Sequence, residues 1–249
     1  MARKKLSIAA LFAAGLLTLP AQQTAQSIPL QEHSANINGI TVPDIPNAPF
    51  SATVVIESQR YWPDGPTQTR RTINLIARDS QGRTHNETRR MMPQYFHGSP
   101  PLLSVRLFDP LTRIRTLCDP TLRIARRQFL PEEPKANSFP NPFMRIEDLG
   151  VTTLNGLQAK GTRRIYTIGA AASGTGSPVE IEDEDWYSEE LHMNLLIRHS
   201  DPRIGVQTIG VSSLKRDEPS ASMFQVPAGY QILDITPAPV SAPVPAPAP

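Results

Sequence analysis

The chain has 249 residues, 25 Lys and Arg against 23 Asp and Glu, one cysteine and 26 prolines. That length is ample for a hydrophobic core, and 39% apolar with 19% charged residues fits a globular body rather than a disordered chain. A single cysteine excludes an intrachain disulfide framework and a cysteine-based zinc site, no apolar run reaches the roughly 18 residues of a spanning helix, and the proline content argues against a helical bundle.

Arg3, Lys4 and Lys5 precede an uncharged, largely apolar stretch from Leu6 to Leu19, then Pro20, Ala21 and the polar run Gln22-Gln23-Thr24. A cationic start, a short apolar region and a small residue before polar chain read as a signal peptide over residues 1–21. Cleavage is expected after Ala21, with Ala25 as second choice, and the product is expected to be periplasmic or secreted. Losing three cations leaves 22 positive against 23 negative residues, so a nucleic-acid partner loses its compositional argument. Residues 22–49, rich in Pro, Asn and Gln, read as a flexible leader, with order expected to begin near Phe50.

Residues 50–236 read as one β-rich domain, because short β-favouring runs alternate with turn chemistry every 8 to 12 residues. Strands are expected over Ala52–Tyr61 and Thr69–Arg78. The tetrad Asp79-Ser80-Gln81-Gly82 then turns the chain into Arg83–Met91. Phe108-Asp109-Pro110 and Cys118-Asp119-Pro120 form a near-repeat ten residues apart, each followed by Arg-Ile. Asp before Pro suits the start of a type I turn, so a meander of Leu102–Phe108, Arg113–Cys118 and Leu122–Phe129 is expected. A third copy, Ser200-Asp201-Pro202, joins Leu195–His199 to Val206–Leu214. These aspartates are assigned to turn geometry, not to catalysis.

Asn155-Gly156 is a two-residue hairpin signal between Leu149–Leu154 and Leu157–Ile168. Val179–Tyr187 continues as a strand, and only Glu132–Asp148 and Glu218–Phe224 invite helix. The strands around Arg163-Arg164 and Arg70-Arg71 have no purely apolar face. Such faces suit a curved sheet with a partly wet concave side, or else strand ends where either face meets water. Residues 237–249, with six prolines among 13 residues, read as a disordered Pro/Ala tail of polyproline II character.

The densest charge cluster is the acidic strand 180–185. Glu180, Glu182 and Glu184 share a face with Trp186, and Asp183 and Asp185 take the other. Solvated cross-strand ion pairs, a hard-cation site and acid–base work are the readings open to it. The histidines His33, His85, His97, His192 and His199 fall at no metal-ligand spacing, so no metal and no cofactor is implied. Neither a nucleophile elbow nor a nucleotide-binding glycine motif occurs. Cys118 alternates with Ile114 and Thr116 and reads as a buried, inert thiol.

The blocks RDSQGRTHNETRR (Arg78–Arg90), VRLFDPLTRIRTLCDPTLRIARR (Val105–Arg127) and LGVTTLNGLQAKGTRR (Leu149–Arg164) resemble an uncharacterised family of exported bacterial proteins. So do DEDWYSEEL (Asp183–Leu191), RHSDPRIG (Arg198–Gly205) and EPSASMFQVPAGYQI (Glu218–Ile232). That layout is in turn similar to the half-barrels of the LolA, LppX and RseB type. The resemblance implies a mainly β fold, a curved antiparallel sheet with one or two short helices over its concave side. It implies a non-catalytic envelope protein binding an apolar ligand, a lipid or a lipidated partner. A structural or protein-interaction module of the envelope is the alternative, and a hydrolase using residues 180–185 the third reading.

Overall fold

Alternating apolar and polar residues between turn signals make strands, and the computed structural model, which describes residues 39–62, 65–132 and 144–237, contains thirteen. In chain order they are β1 (Phe50–Trp62), β2 (Gly65–Arg78), β3 (Thr84–Arg89), β4 (Met92–Pro93), β5 (Leu102–Asp109), β6 (Ile114–Asp119) and β7 (Ile124–Phe129). There follow β8 (Met144–Leu154), β9 (Leu157–Ile168), β10 (Val179–Ser188), β11 (Met193–Asp201), β12 (Gly205–Lys215) and β13 (Gln231–Asp234). The described helix is a four-residue α1 (Ala170–Ser173) and a 3-10 turn at Ala221–Phe224.

All thirteen strands join one open, curved sheet in the order β13-β7-β6-β5-β3-β2-β1-β12-β11-β10-β9-β8, with β4 also paired to β2. Every pairing is antiparallel except that of β13 with β7. The curvature is strong enough to bring distant strands together. Asn155, at the tip of the β8–β9 hairpin, donates from Nδ2 to the carbonyl of Val211 on β12 at 2.9 Å.

The turns are made as the sequence implies. Asp109 Oδ1 accepts the Leu111 N–H at 2.9 Å, Asp119 Oδ1 that of Thr121 at 3.0 Å, and Asp201 Oδ1 that of Arg203 at 2.9 Å. Each carboxylate closes its own loop, which is why Asp recurs there. Asn155 and Gly156 both have positive φ, 51° and 79°, the pair a type I′ hairpin turn needs.

Two apolar clusters lie on opposite faces of the sheet. The larger takes Phe50, Ala52, Val54 and Ile56 from one face of β1 and joins them to Ile76, Leu195, Ile209 and the β9 residues Leu157 and Ala159. We call this the inner face; the sheet coils toward it. The smaller cluster, Val105, Leu107, Cys118 and Ala125, is capped by Val226 and Tyr230. The register Ala77↔His85↔Leu107↔Thr116 puts it on the outer face. Cys118 is fully buried there, and burial raises its thiol pKa, as expected of an inert thiol.

Several expectations change. Order begins before Phe50: Ile40 and Val42 are buried in the larger cluster, so this part of the expected leader packs as body. Arg78, fully buried, holds that segment. Its Nε donates to Ala48 O at 2.9 Å, and Nη1 donates to Pro43 O and Leu191 O, each at 3.1 Å, while the guanidinium lies 5.1 Å from the Phe50 ring centre. The stretch Glu132–Asp148, which invites helix although Pro134, Pro140 and Pro142 restrict it, is strand at its C-terminal end. Residues 144–148 pair with β9, Glu147 opposite Arg163, and cross-strand charge pairing outweighs local propensity. Residues 133–143 of that stretch lie outside the described residues, as do the signal segment, both cleavage candidates Ala21 and Ala25, and residues 238–249 of the tail.

Candidate functional site

Going up β1 from the core, the inner face turns from apolar to polar within one rung. Ile56 pairs with Ile209 and Thr72; two residues on, Ser58 pairs with Gln207 and Arg70. The polar rung continues through Gln207 to His199, Asp183 and Arg164, crossing to β9. Above it the inner face opens into a cleft of about 470 Å³, within the roughly 300–1,000 Å³ range of small-molecule sites.

The cleft exists because β2 and β3 part company. They pair over only Ile76–Arg78 with Thr84–Asn86, and β2 next meets the chain at Arg70 and Arg71, which face Pro93 and Met92 of β4. Side chains stand in for the missing ladder. Asn74 Oδ1 accepts the Arg89 N–H at 2.9 Å, and Glu87 Oε2 lies 3.4 Å from the Leu75 N–H. β1 contributes Ile56, Ser58, Arg60 and Trp62 to the lining; β2 contributes Gln68, Arg70, Thr72 and Asn74. Thr88, Arg89 and Met91 line the β3 side, and Gln207 the β12 side.

Among the described residues this lining holds three arginines and no carboxylate. Arg89 is engaged, its Nε donating to Glu87 Oε2 at 2.8 Å and its Nη1 to Pro100 O at 3.0 Å. Glu87 sits just outside the cleft. Burial alone would raise its pKa, but the hydrogen bond from Arg89 and the imidazole of His85, 3.9 Å away, together hold it down at about 2. Arg60 and Arg70 are exposed, and neither has an ion pair among the described residues.

The acidic strand is dispersed: Asp183 shares the polar inner-face rung with Gln207 and His199, and none of its carboxylates is in the described lining of the cleft. Glu184 faces Arg163, whose Nη2 is 3.1 Å from Oε2, and accepts the Trp186 indole N–H at 2.7 Å. Burial opposes ionisation of Glu184, but those hydrogen bonds and the Arg163 charge lower its pKa. Glu182 stands 4.0 Å from Arg163. On the other face Asp185 pairs with Arg164, and Asp183 Oδ1 lies 2.6 Å from His199 Nδ1. The alternation read from the sequence therefore holds, as cross-strand ion pairs shared with β9 and β11. Among the described residues no three His, Cys, Asp or Glu side chains converge as metal ligands would, and no described helix is long and apolar enough to cross a membrane.

Sequence reading did not find the cleft. Its one visible trace was the mixed face around Arg70-Arg71; the splaying of β2 from β3 has no local signature.

No protein-family model matches the chain, and no curated protein matches it by sequence. Among solved structures it is similar to an uncharacterized conserved protein from Thermus thermophilus, at 12% identity over 76% of this chain and 91% of that one, with a TM-score of 0.40. It is similar to a chain of the Pseudomonas aeruginosa MucA/MucB complex, at 12% identity and TM-score 0.38, covering 74% of this chain but only 58% of that one. A LolA superfamily protein from Nitrosomonas europaea matches at 11% identity over 73% of this chain and 91% of that one, with a TM-score of 0.31. Each likeness is to the fold, at low identity, and the reading of the site rests on this chain's own residues.

Proposed function

We propose that the chain is an exported, non-catalytic envelope protein, periplasmic or secreted, that holds an apolar ligand, a lipid or a lipidated partner against the inner face of its sheet. The observation that carries this is the cleft itself: an opening of ligand size on the face toward which the sheet coils, with Ile56, Trp62 and Met91 in its wall and, among the described residues, no carboxylate in its lining. Of the carboxylates of strand 180–185, Glu182 and Glu184 on one face lie against Arg163, and Asp183 and Asp185 on the other lie against His199 and Arg164, which suits a role in joining strands; Glu180 is exposed.

The envelope-interaction reading has one observation in its favour. β8 ends the sheet, is 11 residues long, and exposes Ile146 and Val151; such an edge can pair with another chain. Native mass spectrometry of the protein purified without detergent from its own envelope separates the two. An adduct of acyl-chain mass is expected. A complex with another polypeptide and no small adduct would favour the interaction module.

A further inference from the structure

Resting on that reading of the cleft as a ligand site, we infer that the occupant is an anionic amphiphile: a single acyl chain bearing a carboxylate or phosphate, its head group held by Arg60 and Arg70. Arg60 pairs with Gln68 and Ser58 with Arg70, so the two arginines stand on adjacent strands as diagonal neighbours on one face, a separation of about 7–8 Å at Cβ that long side chains bridge. Like charges so placed repel. Both are exposed, and among the described residues neither has an ion pair and no carboxylate lines the cleft. An anion between them removes the repulsion and gains charge-assisted hydrogen bonds.

A second observation points the same way. Thr72 lies beside Arg70 on the same face, lines the cleft, is 2% exposed, and its hydroxyl has no hydrogen-bond partner among the described residues. Buried hydroxyls without partners are costly and uncommon. A head-group oxygen would supply the missing partner. Ile56, Met91 and the half-exposed Trp62 give the same cleft an apolar wall, which a free inorganic anion does not need.

Isothermal titration of the full exported chain with laurate, dodecyl phosphate and the neutral monolaurin, each below its micelle-forming concentration, tests this. Laurate and dodecyl phosphate are expected to bind with one site and at least about tenfold tighter than monolaurin. Arg60→Gln/Arg70→Gln is expected to abolish that preference with thermal unfolding unchanged, since both side chains are exposed. Thr72→Val is expected to weaken the two anions and leave monolaurin unaffected. Equal affinity for charged and neutral chains, or a preference that survives in the double variant, would overturn the head-group assignment while leaving the ligand site standing. Inorganic phosphate competing as well as dodecyl phosphate would overturn the amphiphile. If none of the three chains binds, the ligand-site reading itself fails.

Discussion

The lower and upper halves of β1 and β2 belong to the same two strands and the same face, yet one half is core and the other is cleft. Below, Ala52 and Val54 share one buried cluster with Ile40, Val42 and Leu191. Above, Ser58, Arg60 and Trp62 face open space beside Arg70 and Gln68. The strand period is unbroken between them. What differs is the cover: the segment before β1 and the β10–β11 loop close the lower half, and the parting of β2 from β3 leaves the upper half open. Burial in such a sheet is decided by what returns across it, and the pattern along one strand records only half of that.

Breaking the cover should have the largest effect. Arg78 fixes both covering segments through three carbonyls, so Arg78→Ala leaves three acceptors without a donor and a void beside Phe50. A loss of about 3–5 kcal/mol is expected in urea unfolding, with Arg78→Lys intermediate because one ammonium cannot span the same set of carbonyls. An unaltered midpoint would show that the cover is held by its apolar contacts alone.

The rim of the cleft should be acid-sensitive. Glu87 titrates at about 2 in the folded chain against an ordinary 4.5. Its folded pKa is depressed, so the stability it contributes is present above about pH 4.5 and is lost as pH falls toward about 2. The expected contribution is up to about 3 kcal/mol, read as a fall in urea midpoint between about pH 5 and pH 2 that Glu87→Gln reduces.

Strand β10 offers a smaller contrast, between packing and charge. The Trp186 ring lies against Gly161, where an added Cβ would meet it at 2.7 Å, and the indole is half-buried. Trp186→Ala should cost about 2–3 kcal/mol, less than a fully buried indole. Glu180, Glu182 and Glu184 changed together to Gln should cost about 1 kcal/mol or little more, because Glu180 is exposed and the pairs of Glu182 and Glu184 with Arg163 are partly screened by solvent. Comparing the two urea midpoints checks the order. A larger loss from the charge changes would mean that the ion pairs hold β9 to β10.

Much of the architecture was legible in the sequence because turns are local. The three Asp-Pro turns and Asn155-Gly156 carry their geometry in two or three residues, and the strands they join follow. Long-range contacts left no such mark. The parallel closure of β13 on β7 was not foreseen, because Gln231–Asp234 is short and its partner lies more than a hundred residues earlier. Arg78 read as a strand-end arginine, since nothing nearby says that its hydrogen-bond partners will be Pro43, Ala48 and Leu191. The cleft was hidden for the same reason. The mixed face around Arg70-Arg71 fits a partly wet concave side as well as a solvated strand end, and only the separation of β2 from β3 makes it the wall of a site.

Ligand entry into this cleft is reported directly by Trp62, which lines it. The chain has two tryptophans, so in a Trp186→Phe variant all indole emission comes from Trp62, half-exposed in the cleft wall. Titration with laurate should shift that emission to the blue and saturate at one ligand per chain, as water leaves the indole. Emission that stays unchanged while calorimetry records laurate binding would place the ligand elsewhere and contradict the account.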